Sequence, residues 1–370
     1  MTRTVTLVLV DGDGNLLGER GPFEAAVPWW QTVAGFGDDI QVLRLLHGDR
    51  PAPPGGHVTY LAQATDKTRD IRKTGRDVSL TPHPRRAVYA EINGPAESLA
   101  WAQSVLPGTT ASQQRTWNLS AIWRLDGPGG EPVAWLKQVP RFFAHEPDVI
   151  RLLGEVAPGL APELIAAGDH GRMLLAHAPG EDRYGAGPEL CAMIAAAFHP
   201  VQAYFAENPA ARPDLPDARL KPEPFLRVAE PYREDIPGLS KLLDGLPERI
   251  AAINDCGLPD TLLHGDLHPG NVRTDENNRL TIMDWGDCVI GHPGFDILRL
   301  TSDPDVIEAW CDRWGQSGAR RAIELMRPLL PLREALLCAN FLDNIEPSEF
   351  PYHAEDVPAA LIAAASIVGE

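Results

Sequence analysis

The chain has 370 residues, 44% of them hydrophobic, and carries a formal charge of −18 at pH 7. That length gives room for two or three cores. The charge argues against nucleic acid or an anionic membrane surface as partner, and suits a cationic ligand better. No apolar run approaches the roughly 20 residues that a membrane span needs. The residues after Met1 lead straight into a strand-like run without a signal-peptide cleavage site. Five cysteines (Cys191, Cys256, Cys288, Cys311, Cys338) lack metal-ligand spacing, and read as reduced thiols of a cytoplasmic protein.

Residues 5–10 predict an apolar strand, 11–14 a Gly-rich turn and 15–18 a second strand, together a hairpin. Further strands are expected at 40–46 and 57–64, separated by a Pro- and Gly-rich loop at 48–56. A polar, charged loop covers 67–76, and a strand is expected at 87–92. A helix is expected at 95–106, with Pro95 in its first turn and Gly108 past its end. Residues 1–107 therefore read as a small α/β domain with no catalytic signature, open to a role as cap, dimerisation surface or substrate lid. Residues 108–114 look like a small-polar linker, and strands at 117–125 and 133–139 form a hairpin across Asp126-Gly127-Pro128-Gly129-Gly130.

Lys137 is one of only five lysines and sits at the end of the apolar run Val133-Ala134-Trp135-Leu136. An ammonium there needs a charge partner if it is buried, or reaches water from an edge strand. A helix follows from His145, with apolar residues at 149, 150, 152, 153 and 156 and carboxylates at Glu146 and Glu155. Residues 173–176 form a strand that runs into Pro179-Gly180. From Pro188 onward the pattern is helical: 190–204 with a kink or break near Pro200, a Pro-rich loop at 208–224, then an amphipathic stretch at 232–254. Later helices fall at 306–314, 319–326, 332–341 and 357–367. The polar and aromatic segment 344–353 is a candidate lining for a substrate pocket.

The chemistry gathers in Leu263-His264-Gly265-Asp266-Leu267-His268-Pro269-Gly270-Asn271-Val272, followed by Thr281-Ile282-Met283-Asp284-Trp285-Gly286-Asp287. Apolar strands alternate with polar connections, so Asp266, Asn271 and Asp284 fall on facing loops. Two carboxylates and a carboxamide suit phosphoryl transfer assisted by Mg²⁺. The cation takes hard oxygen ligands, and a carboxylate orients the attacking hydroxyl and takes its proton. A lone His-Gly-Asp marks only a turn; it is the recurrence of Asp266, Asn271, Asp284 and Asp296 at these intervals that points to catalysis.

Protein kinases place an Asn five residues after the catalytic-loop Asp and bind metal through a later Asp-Phe-Gly. The interval from Asp266 to Asn271 is the same, and Asp284-Trp285-Gly286 stands where Asp-Phe-Gly would. With His264-Gly265-Asp266, His268-Pro269-Gly270-Asn271 and Gly291-His292-Pro293-Gly294-Phe295-Asp296, the chain resembles the aminoglycoside phosphotransferase-like family of small-molecule kinases. The likeness is specific over residues 261–300 and looser over 113–260. It implies an α+β fold of the bilobal protein-kinase-like type, preceded by the small α/β domain. Residues 108–178 would be the β-rich N-lobe and 179–370 the mainly helical C-lobe, with a catalytic loop at 264–271 and a metal loop at 284–287.

On that resemblance Asp266 is the catalytic base, Asn271 and Asp284 hold Mg²⁺, and Asp296 braces the catalytic loop. Lys137, tethered by Glu146 (with Glu155 second), neutralises the phosphates of ATP. Backbone groups at Ala176 to Ala178 would bind adenine. The loop over the phosphates, 115–121, has no glycine, so Asn118 and Ser120 are its candidates. His264 is expected to support the loop without moving protons. The expected reaction is ATP-dependent phosphorylation of a hydroxyl on a small molecule such as an aminoglycoside, sugar or amino alcohol, with neither nucleic acid nor membrane as partner. A catalytically silent nucleotide-binding module and a kinase of peptide Ser/Thr are the competing readings.

Overall fold

A computed structural model describes residues 2–49, 53–315 and 317–369. Within the loop expected at 48–56, residues 50–52 lie outside the described residues. The chain forms two compact units, one of Met1–Ala144, Leu164–His177 and Asn340–Glu355, the other of His145–Glu163, Ala178–Ala339 and Asp356–Glu370.

The first unit opens with a four-stranded sheet of β1 (Arg3–Val10), β2 (Leu16–Ala25), β3 (Ile40–Gly48) and β4 (His57–Ala64), in the order β2-β1-β4-β3. β1 runs parallel to β4, and the other pairings are antiparallel. Val5, Leu7 and Leu9 face a core with Trp30, Tyr60 and Tyr352, whereas Val8 and Val10 pack with Leu43 and Leu61 on the other face. Both faces are covered, which is why β1 reads as a continuous apolar run and not as an alternation.

A second, antiparallel sheet comprises β5 (Thr110–Trp117), β6 (Ser120–Asp126), β7 (Pro132–Gln138), β8 (Leu164–Gly168) and β9 (Arg172–Ala176), in the order β5-β6-β7-β9-β8. Helix α1 (Gly94–Val105) lays Leu99, Trp101 and Ala102 on a core with Trp123, Leu125, Leu136 and Leu174.

Two expectations are corrected here. Of the segment expected as a linker at 108–114, residues 110–114 belong to β5. Its polar composition hides a strand whose Gln113 side chain bonds both Val42 N and Val42 O at 2.8 Å, taking the place of backbone pairing with β3. The strand expected at 87–92 is a single 3-10 turn, Val88–Ala90, whose buried Tyr89 donates its hydroxyl to Trp117 O at 2.8 Å. A Cβ on Gly94 would lie 1.9 Å from Val88 O. The chain folds back on itself too tightly there to pair as a strand.

The second unit holds α2 (Glu146–Val156), β10 (Glu181–Asp182), α3 (Pro188–Glu207), β11 (Asp217–Ala218), α4 (Pro222–Ala229), α5 (Leu239–Asp244) and α6 (Leu246–Asn254). β12 (Thr261–Leu263), β13 (Val272–Thr274), β14 (Leu280–Ile282) and β15 (Val289–Gly291) follow. The chain closes with α7 (Gly294–Leu300), α8 (Pro304–Trp314), α9 (Ala319–Met326), α10 (Leu329–Asn344) and α11 (Asp356–Gly369). From Asn340 onward α10 counts with the first unit. α3 continues through Pro200 without the expected break, with Phe198, Val201 and Phe205 buried along it. The amphipathic stretch at 232–254 divides at Gly245 into α5 and α6. The small strands form two sheets, β11-β15-β12 and β10-β13-β14. Among the described residues, no helix is long and apolar enough to cross a membrane.

Candidate active site

β12 is wholly buried and delivers the chain to His264. The loop that follows is held from within. His264 is fully buried; its Nδ1 accepts from Asp266 N at 3.3 Å and its Nε2 lies 2.8 Å from Met283 O. Those partners assign the proton to Nε2, and burial pushes the imidazole pKa down. With both nitrogens bonded to backbone, His264 braces the loop from within.

Asp296, buried on α7, accepts from His264 N and Gly265 N at 3.0 Å each and from Gln202 Nε2 at 3.0 Å. Arg333 Nη1 donates to Gly265 O at 2.7 Å, and its guanidinium lies over the Phe295 ring. Gly265 has φ +89°, and a Cβ there would lie 2.0 Å from Asp287 O, so the position requires glycine.

This frame presents Asp266 to three groups. Arg299 Nε donates to Oδ1 at 2.8 Å, Asn271 Nδ2 to Oδ2 at 3.3 Å, and His268 Nε2 lies 3.5 Å from Oδ2. His268 Nδ1 accepts from Gly270 N at 3.0 Å, which leaves Nε2 to carry the proton toward Asp266. Burial alone would raise the Asp266 carboxyl. The hydrogen bond from His268 and the charge of Arg299 overcome it and hold the group well below the usual carboxylate range.

Asn271 also donates from Nδ2 to Asp266 O at 3.0 Å, which leaves its Oδ1 as the atom to face a cation. Asn271 O accepts from Met283 N at 2.7 Å, and Val272 pairs with Ile282. The β13–β14 hairpin thus sets Met283 opposite Asn271, and Asp284 follows one residue beyond that pair. Asp284 has φ +61°, a left-handed conformation that aspartate tolerates better than most residues. The following Trp285 is buried, and its N donates to Glu146 Oε1 at 3.1 Å. A carboxylate and a carboxamide oxygen are hard donors of the kind that Mg²⁺ takes.

Residues 121–329 match the phosphotransferase enzyme family. The chain belongs to that family. The phosphotransferase also has the kinase-like fold, a sheet-rich part with a helical part. It superposes on a choline/ethanolamine kinase family protein from Mesorhizobium loti with a TM-score of 0.55 at 15% identity, covering 75% of this chain and 95% of that one. For choline kinase LicA from Streptococcus pneumoniae the values are 0.53, 14%, 74% and 99%. For a choline kinase from Cryptosporidium parvum they are 0.50, 14%, 74% and 96%. Among curated proteins, none matches the phosphotransferase in sequence above chance.

Of the residues expected from the sequence, Asp266 and Asn271 touch, Asp284 follows the residue paired with Asn271, and Glu146 holds the loop at 284–287 through Trp285 N. Lys137 is buried in β7, opposite Ile122 and Met173 in the ladders. Asn118 and Ser120 are both buried at the β5–β6 turn. Asn118 Oδ1 is 2.9 Å from His353 Nε2, and Ser120 Oγ accepts from Trp117 Nε1 at 3.2 Å. Ala176 ends β9, His177 N donates to Val133 O at 3.0 Å, and Ala178 is buried. The segment 344–353 carries the 3-10 helix Pro347–Tyr352 in the first unit, where Tyr352 meets Trp30 and Trp117.

Sequence reasoning missed Arg299 and Arg333. Arg299 lies three residues after Asp296 on α7, and that helical spacing was the available signal. Arg333 lies in another helix, and nothing local marks it.

Proposed function

We propose that this phosphotransferase moves the γ-phosphoryl group of ATP, with Mg²⁺, to a hydroxyl of a small cationic molecule. Amino alcohols and aminoglycosides are the first candidates. The observation that carries the reading is the carboxylate of Asp266, fixed by Asn271, His268 and Arg299 in a loop whose Asn271 is paired with the residue before Asp284. The net charge of −18 favours a cationic acceptor, and two of the similar structures are of choline kinases.

In this reading Asp266 orients the acceptor hydroxyl toward the γ-phosphorus. An oxygen–phosphorus bond forms, the bond from the γ-phosphorus to the β,γ-bridging oxygen breaks, ADP departs, and the hydroxyl proton passes to the carboxylate. A carboxylate held this acidic takes the proton late, so its main contribution is alignment. Mg²⁺ held by Asn271 Oδ1 and Asp284 would neutralise charge on the phosphate oxygens. Lys137 is the proposed phosphate-side cation, and Glu146 its carboxylate as well as the anchor of the metal loop. Asn118 and Ser120, with side chains bonded inside the unit, would contribute through the backbone of their turn, and Ala176 to Ala178 would meet adenine in the same way.

The test is ADP release with Mg·ATP across a panel of choline, ethanolamine, sugars, aminoglycosides and a Ser/Thr peptide. The reading expects Mg²⁺-dependent turnover with a small hydroxyl compound and none with the peptide. ATP bound without turnover under every acceptor would instead leave a silent nucleotide-binding module.

A further inference from the structure

The first unit contains a cavity of about 570 Å³, within the range of metabolite sites. Three guanidiniums (Arg44, Arg76, Arg86), two imidazoles (His47, His83) and two carboxylates, Asp77 and Glu346, line its wall; behind it Glu19 lies 3.4 Å from Arg76 Nε and Glu91 3.1 Å from Arg86 Nη1.

Two of the guanidiniums are sunk in the wall. The side chains of Arg44 and Arg86 are 3% and 5% exposed, and Glu346 between them is 7% exposed. Glu346 is committed to Arg86, accepting from Nε at 2.9 Å and Nη2 at 2.8 Å, while its distance to Arg44 Nε is 3.4 Å. Arg44 also donates to two carbonyls, from Nη2 to Ser79 O at 3.0 Å and from Nη1 to Ala90 O at 3.5 Å.

The neighbouring Glu349 adds little countercharge, because burial pushes its carboxyl up to about 8 and keeps it protonated at neutral pH. Burial, and next the positive charge of Arg86, press the Arg44 pKa down, against the carboxylates of Glu346 and Glu91. Ser348 Oγ is buried in the same wall with no hydrogen-bond partner among the described residues. His83 Nδ1 accepts from Arg85 N at 3.2 Å, so its Nε2 carries a donor. Leu46, Val78 and Pro82 supply apolar surface.

We propose that this cavity binds a metabolite-sized organic oxyanion, a phosphate monoester or a polycarboxylate, with its charge toward Arg44, Arg76 and His83 and its carbon skeleton on the apolar wall. Guanidinium forks pair with both kinds of oxyanion. The site is independent of the catalytic reading above.

The test is calorimetric titration of the full chain with glucose 6-phosphate and with citrate, glucose serving as the neutral control. Arg76, at 45% exposed, and His83, at the rim, can be replaced without opening a core. The proposal expects a Kd below about 1 mM for at least one anion and none for glucose. R76A combined with H83A should weaken binding about tenfold, and Asp266→Asn should leave it unchanged. Binding of the phosphate ester alone or of citrate alone identifies which oxyanion the site takes. Absence of binding by both anions at about 10 mM, or binding unaltered in the double variant, overturns it.

Discussion

Arg299 donates from Nε to Asp266 Oδ1 at 2.8 Å, so the carboxylate that would meet the acceptor hydroxyl is already paired with a cation. Replacing Arg299 by alanine removes one of the two influences that lower the Asp266 pKa, and lets burial push it up. Only the ionised carboxylate can orient and deprotonate a hydroxyl. The acid limb of kcat/KM, below the ordinary carboxylate range in the parent enzyme, should therefore move to higher pH in Arg299→Ala. A loss of roughly tenfold in kcat/KM at neutral pH should accompany it, about 1.4 kcal/mol of alignment. Profiles measured between about pH 4 and pH 8 check both effects.

Asp296 satisfies two consecutive backbone N–H groups of the loop that carries Asp266, at His264 and Gly265. Asp296→Ala leaves both buried donors without an acceptor and takes a negative charge from the surroundings of buried Arg333. The expected cost is about 3–5 kcal/mol in unfolding free energy, together with loss of turnover. Asp296→Asn keeps one acceptor oxygen and should cost less. Denaturant midpoints for the two variants give the comparison.

Glu146 Oε1 accepts from Trp285 N at 3.1 Å, and the side chain is fully buried. Glu146→Gln preserves the acceptor while removing the charge, so the melting temperature should change little while the KM for ATP rises severalfold. Glu146→Ala should lose about 1–3 kcal/mol of stability as well. A shift in stability of the same size in both variants would remove the charge from the explanation.

Glu349 provides a pH signature that does not depend on catalysis. Its folded-state pKa is raised to about 8, from an ordinary value near 4.5, with burial the main cause. The folded chain therefore holds a proton that the unfolded chain releases. This contribution to stability is full below the ordinary value, and is lost as pH rises through the interval up to the folded value. The slope approaches ~1.4 kcal/mol per pH unit inside that window. Glu349→Gln should flatten the fall in unfolding free energy over the alkaline half of that range.

The loop proposed as catalytic stood out in the sequence because such chemistry demands fixed residue types at short intervals. Asp266, Asn271, Asp284 and Asp296 lie within one stretch of chain, and hairpin and helix geometry do the rest. The strands of the first unit were readable where burial writes an apolar run, as in β1, and unreadable where polar side chains do the joining, as Gln113 does in β5. Tyr89 shows the converse: an apolar segment that propensity assigns to a strand becomes a turn because Gly94 packs against Val88 O. Arg333 was hidden because a cation that pairs with a distant carbonyl leaves no periodicity, while Arg299 offered only its helical spacing from Asp296. The arginine-lined cavity was hidden for the same reason, since Arg44, Arg86 and Glu346 are brought together only by tertiary structure.

The most direct measurement compares Asp266→Asn with the parent enzyme at matched Mg·ATP, following ADP formation with the best acceptor and nucleotide affinity by titration. The account predicts a drop of roughly 10³-fold in kcat with the nucleotide Kd changed less than about threefold. Parent-like turnover in the variant would contradict it, because the phosphoryl transfer would then run without the carboxylate on which the site is built.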